Sequence, residues 1–159
     1  MMTKLRVVAL ASLLTVAVVG WQWSQSETLY AAQPQDVAND AEPVESDMHE
    51  FMEYVFQPTY LRLKPLMSVT EPDNKTWKSI KADSLILAEG GNLLLIRQPE
   101  ENAVDWVKHS VHVRDFGGQL YRAAKAKDYP LARKNYESMV ENCNACHHQF
   151  AHGEHILNP

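Results

Sequence analysis

Cysteine is nearly absent: Cys143 and Cys146 are the only two in 159 residues. A single pair three apart cannot form the framework of bridges that staples small secreted domains, so a hydrophobic core must hold the fold. Glycine is scarce at six, and no alternation of apolar and polar residues is long enough to be a useful strand. Both absences argue against an all-β chain and for a helical one. Charge of one sign is missing in two places. Residues 1–23 carry Lys4 and Arg6 but no acid, whereas residues 24–45 carry Glu27, Asp36, Asp40, Glu42 and Glu45 but no base. In residues 46–159 the 13 basic and 15 acidic side chains nearly cancel. That leaves no basic stripe to follow a phosphate backbone, and nucleic-acid binding is set aside.

What is present begins with an export pattern. Lys4 and Arg6 precede an uncharged, largely aliphatic run from Val7 to Gly20, followed by Trp21 and Trp23. A positive start before an apolar stretch directs a chain to the export machinery. Residues 5–23 are just long enough to span a bilayer, with the tryptophans suited to its interface. Segment 1–23 is therefore expected to be a signal peptide, cut near Val18-Val19-Gly20, or an uncleaved anchor in a bacterial-type inner membrane. Lys4 and Arg6 stay inside in either case, which directs the remainder to the periplasmic side. Residues 24–45, acidic and interrupted by Pro34 and Pro43, read as a flexible linker.

From residue 46 the pattern predicts four helices, and four helices in so short a domain favour an all-α, antiparallel up-down-up-down bundle over residues 46–159. Ser46 and Asp47 can cap a first helix reaching about Met67, with Met48, Met52, Val55, Phe56, Leu63 and Leu66 inward. Pro58 and Pro65 predict a kink or an early end near Gln57. Thr70-Glu71-Pro72-Asp73 opens a second helix, whose Trp77, Ile80, Ser84, Leu87, Gly91 and Leu94 form a seam. Gly90 and Gly91 predict close approach of a neighbouring helix or of a flat cofactor. A third helix over about 101–127 uses Val104, Val107, Val111, Leu120 and Ala124. Asp128-Tyr129-Pro130 is a stop and restart, and the fourth helix runs from Leu131 to about Phe150.

That last helix contains Cys143-Asn144-Ala145-Cys146-His147. Two thiols three residues apart on a helix can both reach the vinyl groups on adjacent pyrrole rings of one haem. The following histidine then presents its imidazole to the iron. The motif points to one covalently attached haem c, with Cys143 and Cys146 as thioethers and His147 as the proximal iron ligand. Two other chemistries share the residues. A thiol-redox pair would sit at the start of a helix after a strand. A zinc site would need His148, His152 or His155 to complete four ligands.

A Cys-x-x-Cys-His near the end of an exported four-helix chain resembles the class II c-type cytochromes, the cytochrome c prime family. Phe150 matches the family's Cys-x-x-Cys-His-x-x-Phe ending, and Lys125-Ala-Lys-Asp128 before the last helix is similar as well. The resemblance covers about residues 46–150. It implies haem near one end of the bundle, Phe150 in its pocket, and Met52 of the first helix at the distal position. It also implies homodimerisation through the first helices. Ala151 stands where the family often has a basic residue, and Met48 where an arginine is common, so the resemblance supplies no propionate partner at those two positions.

If the Met52 sulfur bonds iron, electron transfer with respiratory redox proteins is the expected role, not enzymatic turnover. If Met52 only packs, the iron is free to take nitric oxide or carbon monoxide. His49 is expected to be solvated, a quarter-turn from Met52, so that both cannot face the haem. His109 and His112 read as partly exposed surface, and His148, His152 and His155 as a polar tail. Trp77 and Tyr136 are candidate pocket walls, and Arg97 and Arg122 candidate propionate partners.

Overall fold

A computed structural model describes residues 41–159, and within it aspartates and prolines mark the helix ends. The expected leader 1–23 and most of the linker lie outside the described residues. Residues 41–45 carry no regular secondary structure. The rest is all-helical: four long helices, with no strand among the described residues. Among those residues no helix is long and apolar enough to cross a membrane.

Helix α1 occupies residues 48–66. Asp47 caps it, its carboxylate accepting the N–H groups of His49 at 2.7 Å and Glu50 at 3.1 Å. These are donors that a helix start otherwise leaves without partners. The helix does not end near Gln57. An α-helical turn over Met48–Phe51 passes into a π-helical turn over Met52–Phe56, and α-helix resumes over Gln57–Leu66. Pro58 has no N–H for the carbonyl four residues earlier, and the chain widens just upstream, where the Gln57 N–H reaches the Met52 carbonyl.

Helix α2 spans Asn74–Leu95, capped by Asp73, which accepts the Thr76 N–H at 2.7 Å. Helix α3 spans Ala103–Ala126 and closes on Lys127 in the left-handed region at φ 57°. Helix α4 spans Tyr129–Phe150, capped by Asp128 with Pro130 in its first turn.

The seam expected on α2 is buried in full: Trp77, Ile80, Ser84, Leu87, Gly91 and Leu94. On α3 the expected Leu120 and Ala124 are buried, but the N-terminal half of the expected face is rotated. Val104 is 83% exposed, and the buried residues are Trp106, Ser110, Val113, Gly117, Leu120, Ala123 and Ala124. Two contacts choose this face over the valines. The Trp106 indole N–H donates to the Leu94 carbonyl at 2.8 Å, and Gly117 lies flat against α2, where a Cβ would come 2.9 Å from the Ala88 nitrogen.

Gly91 is a point of helix–helix approach, since a Cβ there would meet the Arg114 nitrogen at 2.6 Å. Gly90 faces the Phe56 ring. Helix α3 packs against both α2 and α4, and α1 packs against α2. No Cα of α1 comes within 8 Å of one in α4. Side chains join that pair at one end, where Tyr129 and Arg133 both donate to the Met67 carbonyl, at 2.5 and 2.6 Å.

Candidate functional site

A cavity of about 600 Å³ lies in the seam between α1 and α4. Met139, Val140, Cys143, Cys146, His147 and Phe150 line it from α4, all on one face because their spacing follows the helical repeat. Met48, His49, Met52, Glu53, Phe56, Gln57 and Tyr60 line it from α1. Leu87 and Leu94 of α2 and Trp106, His109 and Val113 of α3 form the floor. Residues 151–157 contribute Ala151, Glu154, His155 and Leu157. Such a mostly apolar space with a few convergent polar groups has the size and character of a cofactor site.

Cys143 and Cys146 are unbridged and partly buried, one helical turn apart. Burial pushes the Cys143 thiol up to about 12, with a further rise from Cys146, and pushes Cys146 up to about 11. Both therefore stay neutral near pH 7. A nucleophilic or redox cysteine needs the opposite, a thiolate favoured by a positive neighbour or a helix N-terminus.

His147 lies next to them with its Nδ1 2.9 Å from the carbonyl oxygen of His155. A carbonyl only accepts, so Nδ1 carries the proton and Nε2 keeps a free lone pair. Burial lowers the pKa of His147, which favours the neutral ring that a metal binds. Phe150 closes the same end, its ring edge-on to Trp106 at 5.1 Å.

Comparison of the chain with protein-family models, curated proteins and solved structures gives no match. The site must be judged on its own chemistry. The residues present fit haem c: two thiols at vinyl spacing, a neutral imidazole with one nitrogen free, and apolar walls. Among the described residues no group of three or more His, Cys, Asp or Glu is placed to hold a metal ion.

On the opposite wall Met52 is partly buried within the π turn. His49 lines the same cavity, so the expectation that only one of the two can face it is corrected. The two are joined by the α-helical turn over Met48–Phe51, and residues three apart there lie on the same side of the helix; the His49 ring stands 5.9 Å from that of His155. His49 is solvated as expected, with 70% of its side chain exposed.

Several other expectations change. Trp77 and Tyr136 do not line the cavity; they belong to the closed core beyond it. Arg97 and Arg122 do not line it either, and the Arg97 guanidinium lies 3.9 Å over the Phe51 ring. His109 is a cavity wall. Its Nδ1 lies 3.0 Å from the Asn142 side-chain oxygen, which His112 shares at 3.3 Å, and its Nε2 lies 3.3 Å from Gln149. Sequence reasoning missed Asn144, Tyr60 and the backbone of His155, for which linear spacing carries no signal.

Proposed function

We propose that this chain is a monohaem c-type cytochrome of the periplasmic side that carries single electrons and has no turnover of its own. It would be built as the up-down-up-down bundle of the class II family that its last helix resembles. One observation carries the reading: Cys143, Cys146 and His147 reach a single apolar cavity from one helix face, with the His147 Nε2 free. Haem, when bound, supplies a one-electron iron couple, and the protein tunes it through ligation and burial. Cys143 and Cys146 would hold the porphyrin as thioethers, and His147 would hold the iron. Phe150, Leu94 and Trp106 keep water from that end, while the neutral thiols argue against a disulfide-exchange role.

Met52 would supply a soft sulfur on the other face, suited to an electron carrier with little rearrangement between oxidation states. A second reading draws on the α1 wall. Met48, Met52 and Phe56 offer a nitric oxide or carbon monoxide molecule a dry surface and a movable thioether. Residues 5–23, if retained, would tether the domain to the inner membrane and raise its effective concentration near respiratory partners. A homodimer through α1 would be consistent with the family resemblance.

Protein matured through the export pathway is expected to show a Soret band and a pyridine haemochrome of haem c that survives denaturation. A colourless product would end the haem reading. With haem present, a ferrous form that ignores carbon monoxide until Met52→Leu is introduced supports methionine ligation. Ready binding by the unaltered protein supports the gas reading.

A further inference from the structure

Beyond the end of α4 the chain turns back over the cavity. The His147 carbonyl accepts the N–H groups of Ala151 at 2.9 Å and Gly153 at 3.0 Å. His152, Gly153 and His155 all take the left-handed region, at φ 53°, 78° and 58°. Two of these carry side chains that rarely adopt that conformation, so other bonds must hold the turn.

Asn144 supplies two of them. Its Nδ2 donates to the Leu157 carbonyl at 2.9 Å, and its Oδ1 accepts the Leu157 N–H at 2.7 Å. On the other side of the seam the Tyr60 hydroxyl donates to the Asn158 carbonyl at 2.6 Å and accepts its N–H at 3.2 Å. The segment thus bridges α4 to α1 across a gap that their backbones do not close. Between these anchors and the helix end lies His155, whose carbonyl receives the His147 Nδ1–H.

We propose that residues 151–159 form a strap over the His147 face of the cavity, with Asn144 as the positioning residue that buckles it. By clamping Leu157, Asn144 holds the His155 carbonyl against Nδ1 and so sets how strongly His147 donates to haem iron. This rests on the haem reading above. A ring N–H bonded to a carbonyl makes the opposite nitrogen a stronger donor, and a stronger donor favours the more positive ferric iron. Releasing the strap therefore raises the reduction potential.

The test uses the purified haem protein in four forms: unaltered, Asn144→Ala, a chain lacking residues 154–159, and the two changes combined. Each single change is expected to lower the ferric-to-ferrous ratio at a fixed poise on the order of tenfold. For one electron, that is an upward shift of about 59 mV. The combined form should match the shortened chain, because Asn144 acts only through the strap. An unchanged potential in the shortened chain overturns the proposal, as does a further shift when Asn144→Ala is added to it. If Asn144→Ala fails to load haem, the shortened chain decides alone, since it keeps Cys143 to His147 intact. A full-length chain that never takes up haem fails the functional reading instead. The strap is then judged by the Leu157 amide, whose slow hydrogen exchange must be lost in Asn144→Ala; equal protection in both forms overturns it.

Discussion

Around Leu63, Ile80, Leu120 and Tyr136, each buried completely, side chains from all four helices meet and fill the interior. Around Phe51, Leu94 and Trp106 the buried cluster is smaller, and Met48, Met52, Val55 and Phe150 reach it only partly buried. Small residues explain part of the contrast. Ala123, Ala124 and Ala132 let α3 and α4 approach at the closed end. At the other end two large rings of α1, Phe51 and Phe56, pack edge-to-face at 5.6 Å. The same four helices therefore produce a packed core at one end and a pocket at the other.

Breaking that contrast at the cavity should have the largest effect. Combined Cys143→Ala and Cys146→Ala is expected to abolish haem that resists denaturation, read by haem staining of a denaturing gel. It should also flatten the cooperative melt followed by circular dichroism. Next come single truncations compared between the two ends. Leu120→Ala, in the closed core, should cost about 2–5 kcal/mol in denaturant unfolding. Val55→Ala, in the smaller cluster at the cavity end, should cost less than about 1 kcal/mol, because few packed neighbours lose contacts there. Equal losses would mean that the cavity end is as tightly packed as the core.

Glycines sharpen the same comparison at a smaller scale. Gly91→Ala forces a Cβ against the α3 backbone, and overpacking of about 1–3 kcal/mol outweighs the gain in helix propensity of about 1 kcal/mol. Gly90→Ala meets only the tip of the Phe56 ring, which can move into the cavity, so its net effect should be close to zero. The smallest change is Tyr136→Phe. The Tyr136 hydroxyl is buried without a hydrogen-bond partner among the described residues, so its removal should be neutral or slightly stabilising. Burial raises the pKa of Tyr136, so the folded chain keeps a proton that the unfolded chain releases near pH 10. Stability should fall as pH rises past about 10, and less so in Tyr136→Phe; unfolding midpoints across alkaline pH check it.

The helix ends were legible because their causes are local. Asp47, Asp73 and Asp128 each bond N–H groups two or three residues away, and a pattern that short is visible in a linear string. The α2 seam was legible for the same reason, since one unbroken periodicity runs from Trp77 to Leu94, about five turns. On α3 two periodicities competed. The valines 104, 107 and 111 imitated a core stripe, and only the partner helix decided for Trp106 and Gly117. The fate of Pro58 was half legible: a disturbance was expected, but its absorption by a π turn depends on the packing of α1.

By itself the sequence determined that Cys143, Cys146 and His147 share one helix face, because residues three and four apart on a helix must do so. It equally determined four helices and their breaks. Tertiary structure alone decided that α1 stands away from α4 and that a cavity lies between them. It also decided that the carbonyl of His155, eight residues beyond, chooses which nitrogen of His147 is free. The first set depends on bonds within a few residues; the second depends on the distance between helices, which no local spacing encodes.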